Sequence, residues 1–90
     1  MKYLIIGVVL GRTNDQYSTL TVKSMKFAGK LQANGFEAAK DKALTILRET
    51  NKQLIDKPFP EYGHGYLAWS GELSPAWHYY LIEDTSEGDL

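Results

Sequence analysis

The chain has 90 residues, which is enough for one small domain and too few for two. Apolar residues make up 43% of it and charged residues 23%, a composition that supports a globular core and excludes global disorder. No cysteine is present, so disulfides, thiolate metal sites and cysteine nucleophiles are excluded.

The net charge of -1 hides an asymmetry along the chain. Residues 1–57 carry all ten Lys and Arg against five acids, whereas residues 58–90 carry six acids and no base. Such a split predicts either two faces of opposite potential or two halves that attract each other across the fold.

The first predicted element is a strand over residues 3–10. Leu4 and Ile6 lie on one face of it and Tyr3 and Ile5 on the other, and apolar side chains on both faces are typical of a central strand. The apolar run within it is too short to span a bilayer, and no small-residue cleavage site follows. We therefore expect no membrane segment and a cytoplasmic location.

The polar residues 11–16 predict a turn that leads into a second strand over residues 17–23. Leu20 and Val22 share one face of this strand. The alternation continues from Met25 to Gln32, which predicts either an extension kinked at Gly29 or a short separate strand.

A single amphipathic helix is predicted over residues 35–54, where apolar side chains recur at helical spacing. Asn34 stands three residues before Glu37, a spacing that favours a capping box. Pro58 and Pro60 cannot continue a helix, so an extended connector should follow.

Two further strands are predicted over residues 65–73 and 77–83. In the first, Leu67 and Trp69 should face the core and Tyr66 the opposite side. The domain should therefore span residues 1–83, followed by an acidic, frayed tail over 84–90.

The predicted fold is α+β with the order β-β-α-β-β, an antiparallel sheet of about four strands with one helix packed on one face. One helix covers one face only. The other apolar face must be hidden by residues 55–65, by a second copy of the chain or by another partner.

Both Trp, both His and four of the six Tyr lie between Tyr62 and Tyr80, in the base-free part of the chain. The leading hypothesis is a non-enzymatic protein-binding module that docks this acidic, aromatic surface on a basic nucleic-acid-processing partner, as a phage or mobile-element accessory inhibitor would. A homodimer through the same face is the rival, and burial of the aromatic residues beneath residues 55–65 is the structural alternative. The predicted partner-binding residues are Tyr66, Glu72, Trp77, His78, Tyr80, Glu83 and Asp84, and one register slip would move Trp77 to the other face.

A single-stranded nucleic-acid-binding domain is the first alternative, because exposed aromatic residues on a sheet can stack bases. The residues that would contact phosphates are Lys23, Lys26, Lys40, Arg48 and Lys52. The acidity of the aromatic strands opposes this reading.

A small two-histidine hydrolase is the second alternative, with His64 and His78 as acid and base and Ser70 or Ser74 as nucleophile. No third, orienting group is identifiable. The spacing of His64, His78 and Glu72 matches no metal motif, and no glycine-rich phosphate loop is present, so neither a metal nor another cofactor is predicted.

Two segments resemble parts of known families. Ala28-Gly29-Lys30, followed by the helix that begins near Phe36, resembles the end of a double-stranded-RNA-binding domain, but that family runs α-β-β-β-α and opens its last helix with a basic cluster. Phe36-Glu37-Ala38-Ala39 after paired strands resembles HicB-type antitoxins, although their signature between strand and helix is missing. Each resemblance covers about half the chain, and no site residue is carried over from either.

Overall fold

The computed structural model describes residues 1–14, 16–17, 19–56, 63–71 and 75–85. The elements in chain order are β1 (Lys2–Arg12), β2 (Leu20–Gln32), α1 (Phe36–Thr50), β3 (Tyr66–Trp69) and β4 (His78–Glu83). The strands form one antiparallel sheet in the order β2-β1-β4-β3. This confirms the predicted α+β fold with one helix packed on one face of the sheet.

The strand β1 is central, as its apolar pattern predicts, because it pairs with β2 on one side and β4 on the other. Tyr3 and Ile5 are buried in the core beneath α1. Val8 is also buried but belongs to the other face and lies outside that core cluster. Apolar side chains thus occupy both faces of β1, while the helix covers one.

The strand β2 is one continuous element of 13 residues with a register shift next to Gly29, which agrees with the predicted extension kinked at Gly29 and not with a separate third strand. Its pairing with β1 shifts twice, and each shift leaves one extra residue in β2, Lys23 and Ala28. A β-bulge of this kind reverses the alternation of the side chains that follow it. The two bulges decide which residues of β2 face away from the helix.

The helix α1 buries Ala39, Ala43, Leu44 and Leu47 against the sheet. Small alanines on this face let the helix lie close to the strands, consistent with its packing over Gly29, where a Cβ would lie 3.6 Å from Ile46. The core consists of this helix face together with the inward side chains of β1, β3 and β4.

The ends of α1 differ from the prediction. Gly35 is the N-cap and no side chain accepts a hydrogen bond there, so the capping box assigned to Asn34 and Glu37 is wrong. At the other end, the backbone N–H and the side-chain amide of Asn51 both donate to the Leu47 carbonyl, at 2.9 and 3.0 Å. These two bonds satisfy a carbonyl at the helix end, and the helix stops at Thr50, four residues before the predicted end at residue 54.

The segments around the last strands extend the sheet slightly. Ile55 forms an isolated antiparallel bridge with Trp69 at the outer side of β3. The Asp84 N–H donates to the Lys2 carbonyl at 2.8 Å, so the first residue of the predicted tail is tied to β1. Residues 86–90 and most of the predicted connector, residues 57–62, lie outside the described residues. Within the described part of the chain, no helix has the length and apolar character needed to cross a membrane.

Candidate docking surface

The side of the sheet away from α1 is called the open face here. Its members follow from the strand pairing, because residues directly opposite each other in a sheet share a face. Its apolar and aromatic members are Leu20, Val22, Met25 and Phe27 from β2, Leu4, Ile6, Val8 and Leu10 from β1, His78, Tyr80 and Ile82 from β4, and Tyr66 and Trp69 from β3.

Most of the exposed large apolar side chains of the described residues lie on this face. Six such side chains are exposed, and four of them belong to the open face: Val22 (54% exposed), Met25 (66%), Phe27 (56%) and Ile82 (49%). A sheet face that remains in water normally carries polar side chains. The middle of the open face carries apolar ones instead, which is typical of an interaction surface.

Two cross-strand rows run over all four strands. The Met25 row consists of Met25, Val8, His78 and Trp69, and the Phe27 row consists of Phe27, Ile6, Tyr80 and Tyr66. At the β2 end, the rows carry the exposed side chains of Met25 and Phe27. At the β3–β4 end, both rows carry aromatic side chains. Each row spans about 14 Å, given about 4.8 Å between neighbouring strands.

The aromatic ends of the rows contact one another. The Tyr66 hydroxyl lies 3.0 Å from His78 Nδ1, and the Tyr66 and Tyr80 rings meet edge to face with centroids 5.3 Å apart. The Trp69 and His78 rings are stacked, with centroids 6.1 Å apart and planes within 5°. These contacts link the four side chains into one aromatic cluster on the open face.

Burial lowers the pKa of His78 below its ordinary value, because the partly enclosed ring loses hydration that the charged form needs. The lowered pKa favours the neutral imidazole. A neutral ring with its hydrogen on Nε2 accepts a hydrogen bond at Nδ1, where the Tyr66 hydroxyl lies. The enclosed Trp69 Nε1 has no hydrogen-bond partner in the described part of the chain.

The prediction that Trp69 faces the core is wrong, because Trp69 lies on the open face. The pairing of β3 with β4 shifts between Tyr66 and Ala68, which inserts Leu67 as an extra residue. Leu67 and Ala68 are both buried on the helix side, and Trp69 returns to the face of Tyr66. The open face therefore gains an aromatic residue that strict alternation assigned to the core.

The predicted partner-binding residues fall into three groups. Tyr66, His78 and Tyr80 lie together on the open face. Trp77 and Glu83 do not join them. Trp77 packs against the core beneath Lys26, whose ammonium lies 4.2 Å from the ring centroid, and Glu83 pairs with Tyr3 of the helix side.

Of the remaining two, Asp84 follows β4 directly and bonds to the backbone of β1. Glu72 lies outside the described residues.

Sequence reasoning missed the β2 part of the surface. Met25 and Phe27 follow Val22 with an odd offset, so simple alternation places them on the opposite face from Leu20 and Val22. The bulge at Lys23 reverses the alternation and brings all four to the open face, and the bulge at Ala28 reverses it again. Gly29 marks the bulge at Ala28, whereas no such residue marks the bulge at Lys23.

The Lys and Arg residues of the nucleic-acid-binding alternative lie on the helix side of the sheet, opposite the aromatic residues. Lys26 is paired with Gly7 on the helix side, and the Lys23 side chain lies against Gly11 on that same side. Lys40 and Arg48 belong to α1, and Arg48 pairs with Asp56 at 2.7 Å.

Lys52 follows the helix. Stacking residues and phosphate-binding residues would therefore contact a nucleic acid from opposite faces.

The two histidines of the hydrolase alternative also lie apart. His64 stacks on Phe36 at the start of α1, with centroids 5.5 Å apart, whereas His78 lies on the open face. The Ser70 hydroxyl accepts a hydrogen bond from the Trp77 N–H at 2.8 Å, and Ser74 lies outside the described residues. Among the residues that the structure describes, no three His, Asp or Glu side chains are grouped to hold a metal ion.

No protein-family model, curated protein or solved structure matches this chain. The resemblances to double-stranded-RNA-binding domains and HicB-type antitoxins therefore gain no support. The observed order of two strands, one helix and two strands also differs from the α-β-β-β-α order of the first family.

Proposed function

We propose that this protein is a non-enzymatic, cytoplasmic protein-binding module that docks through the open face of its sheet. The observation that carries the proposal is a group of four exposed apolar side chains on the face that α1 does not cover. They are Val22, Met25, Phe27 and Ile82. In a chain of 90 residues, this is apolar surface that the core does not use.

The size of the patch supports a protein partner. The four exposed side chains present about 400 Å² of apolar surface, taking about 150–220 Å² for a whole residue of this size. Members of intermediate burial, such as Leu4, Leu10 and Tyr80, enlarge the patch further. The largest apolar patch of an ordinary monomer covers about 300–600 Å² and is often a functional site.

The aromatic contacts support the same proposal. Tyr66, Trp69 and His78 hold one another in place through a hydrogen bond and stacked rings. Side chains already ordered in the free protein lose little conformational entropy on binding, and aromatic residues of this kind often dominate interface energetics.

Docking by the face is favoured over addition of a strand to the sheet edge. β2 is an edge strand, and its two bulges interrupt the regular ladder that an added strand would need. Lys23, Lys26 and Lys30 also place charge along it. Lysines and bulges are the devices that protect sheet edges from pairing with other chains.

The finer part of the proposal is that the partner presents a basic surface. Its support is the sequence composition alone: residues 58–90, which include β3 and β4, carry six acids and no base. A role as a phage or mobile-element inhibitor of a nucleic-acid-processing complex belongs to this finer part, because such complexes expose basic grooves.

Photo-crosslinking from the face tests the proposal. A benzophenone amino acid replaces Phe27 in the full chain, expressed in the cells that produce the protein naturally. Ser24, exposed on the opposite face of the same strand, carries the same probe as a matched control. We expect a discrete protein adduct from position 27 and none from position 24. Equal adducts from both positions, or none from position 27 in a folded chain, would contradict docking through the open face.

A further inference from the structure

We propose that Met25 is a redox-sensitive modification site of the open face: a peroxide oxidises its thioether to the sulfoxide, which weakens docking, and reduction restores it. This inference rests on the proposed function and adds a means of regulating it. Three observations lead to it: the exposure of the Met25 side chain, its apolar neighbours on the open face, and its separation from the core.

Met25 carries the accessible sulfur of the open face. The chain has two methionines and no cysteine, so a peroxide meets sulfur at two positions only. Met25 is 66% exposed and Met1 60% exposed. The Met1 sulfur accepts a hydrogen bond from the Tyr3 hydroxyl at 3.8 Å, and Tyr3 belongs to the core beneath α1. Oxidation of Met1 therefore leaves the open face unchanged, whereas oxidation of Met25 alters it.

The neighbours of Met25 on the open face are apolar. Val22 and Phe27, on the same strand, are 54% and 56% exposed, and Val8, its pairing partner in β1, is buried. A partner that covers Val22 and Phe27 also covers the thioether that lies between them. None of these three side chains carries a hydrogen-bond donor. This chain therefore offers no side-chain donor for a sulfoxide oxygen at that place.

The oxidation balances with hydrogen peroxide as the only co-reactant. A lone pair of the Met25 sulfur attacks one peroxide oxygen, the S–O bond forms as the O–O bond breaks, and the second oxygen leaves as water. The sulfur is oxidised by two electrons and the peroxide is reduced by two. Methionine sulfoxide reductases reverse the step with thiols, which become a disulfide while the sulfoxide oxygen leaves as water.

The sulfoxide opposes docking because it turns an apolar contact into a polar one. In the free chain water binds the new oxygen, since the Met25 side chain is exposed. In a complex through the open face this oxygen loses its water, and Val8, Val22 and Phe27 supply no donor in return. Burial of an unpaired polar group of this kind weakens binding by about five-fold to 150-fold.

The fold itself does not depend on the Met25 thioether. Met25 lies outside the buried core cluster, and its place in β2 is set by backbone pairing with Val8. Changes to exposed side chains away from the core alter stability little. Oxidation of Met25 should therefore change the docking surface and leave the free energy of unfolding nearly unchanged, which separates regulation from oxidative unfolding.

Peroxide treatment of the purified full chain tests the inference. The chain carries the benzophenone amino acid at Phe27, and peptide mass mapping reports the oxidation of Met25 and Met1 separately. Urea unfolding checks the fold. Treated and untreated chains are then irradiated in a lysate of the cells that produce the protein naturally. Met25→Leu is the matched control, because it keeps an apolar side chain of similar size and leaves Met1 as its only sulfur.

We expect Met25 to be oxidised with an unchanged urea midpoint, and the adduct from position 27 to fall at least about five-fold. Methionine sulfoxide reductase with a thiol should restore the adduct, and in Met25→Leu the adduct should survive the same peroxide. An adduct that survives complete oxidation of Met25, an equal loss in Met25→Leu, or unfolding on oxidation would overturn the inference. Absence of an adduct from the untreated chain would instead contradict the proposed function.

Discussion

Replacing Gly65 with alanine tests the turn that delivers β3 to the sheet. Gly65 has a φ of +88°, and a Cβ there would lie 2.8 Å from the Leu81 carbonyl oxygen. The Leu81 N–H also donates to the Gly65 carbonyl at 2.8 Å, so the two segments cannot separate without losing that bond. Gly63 has a similar φ of +93°, but no atom of the described residues lies within 4 Å of its Cβ position. Gly63→Ala is therefore a matched control that tests backbone strain without a close contact.

A side chain at positive φ costs about 1–2 kcal/mol, offset by about 0.4–1 kcal/mol because the unfolded chain becomes stiffer. We expect Gly63→Ala to lower the free energy of unfolding by about 1 kcal/mol. Contact with a backbone oxygen adds about 2 kcal/mol, so Gly65→Ala should lose about 3 kcal/mol. In a domain of this size the two melting temperatures should differ by about 10 °C. Equal losses in urea unfolding would refute the close approach of Gly65 to β4.

Three further perturbations test individual contacts. Tyr66→Phe removes the hydroxyl bonded to His78 and should lower the free energy of unfolding by about 0.5–1.5 kcal/mol in urea titrations. Because burial lowers the pKa of His78, the folded chain binds the imidazole proton less tightly than the unfolded chain does. The free energy of unfolding should therefore be highest above about pH 6.5 and fall below that pH. In His78→Gln, the urea midpoint should depend less steeply on acid pH. Lys26→Met removes the ammonium over Trp77 and should cost about 0.5–1 kcal/mol in thermal unfolding, whereas Lys23→Met, which leaves that pair intact, should cost less.

The fold was readable from the sequence because its elements carry clear periodicities. Apolar residues on both faces of residues 3–10 indicate a central strand, and β1 is central. The helical spacing of Ala39, Ala43 and Leu47 indicates the buried face of α1, and all three residues are buried. One amphipathic helix against four strands also predicts a face that the helix leaves uncovered, and α1 packs on one face of the sheet.

The composition of that face could not be fully predicted, because two strand irregularities, at Lys23 and Leu67, reverse the alternation without a sequence marker. The irregularity at Leu67 moves Trp69 to the open face, and the bulge at Lys23 moves Met25 and Phe27 there. Residue-by-residue alternation assumes an unbroken ladder, so one inserted residue exchanges the faces of everything after it. Tyr66 was assigned correctly because it precedes the irregularity in β3.

The central claim is that the open face docks a protein surface. The most direct measurement is photo-crosslinking from a benzophenone amino acid at Phe27, compared with the same probe at Ser24 on the opposite face of β2. We predict a discrete protein adduct from position 27 and none from position 24. Equal adducts from both positions, or none from position 27 in a folded chain, would contradict the claim.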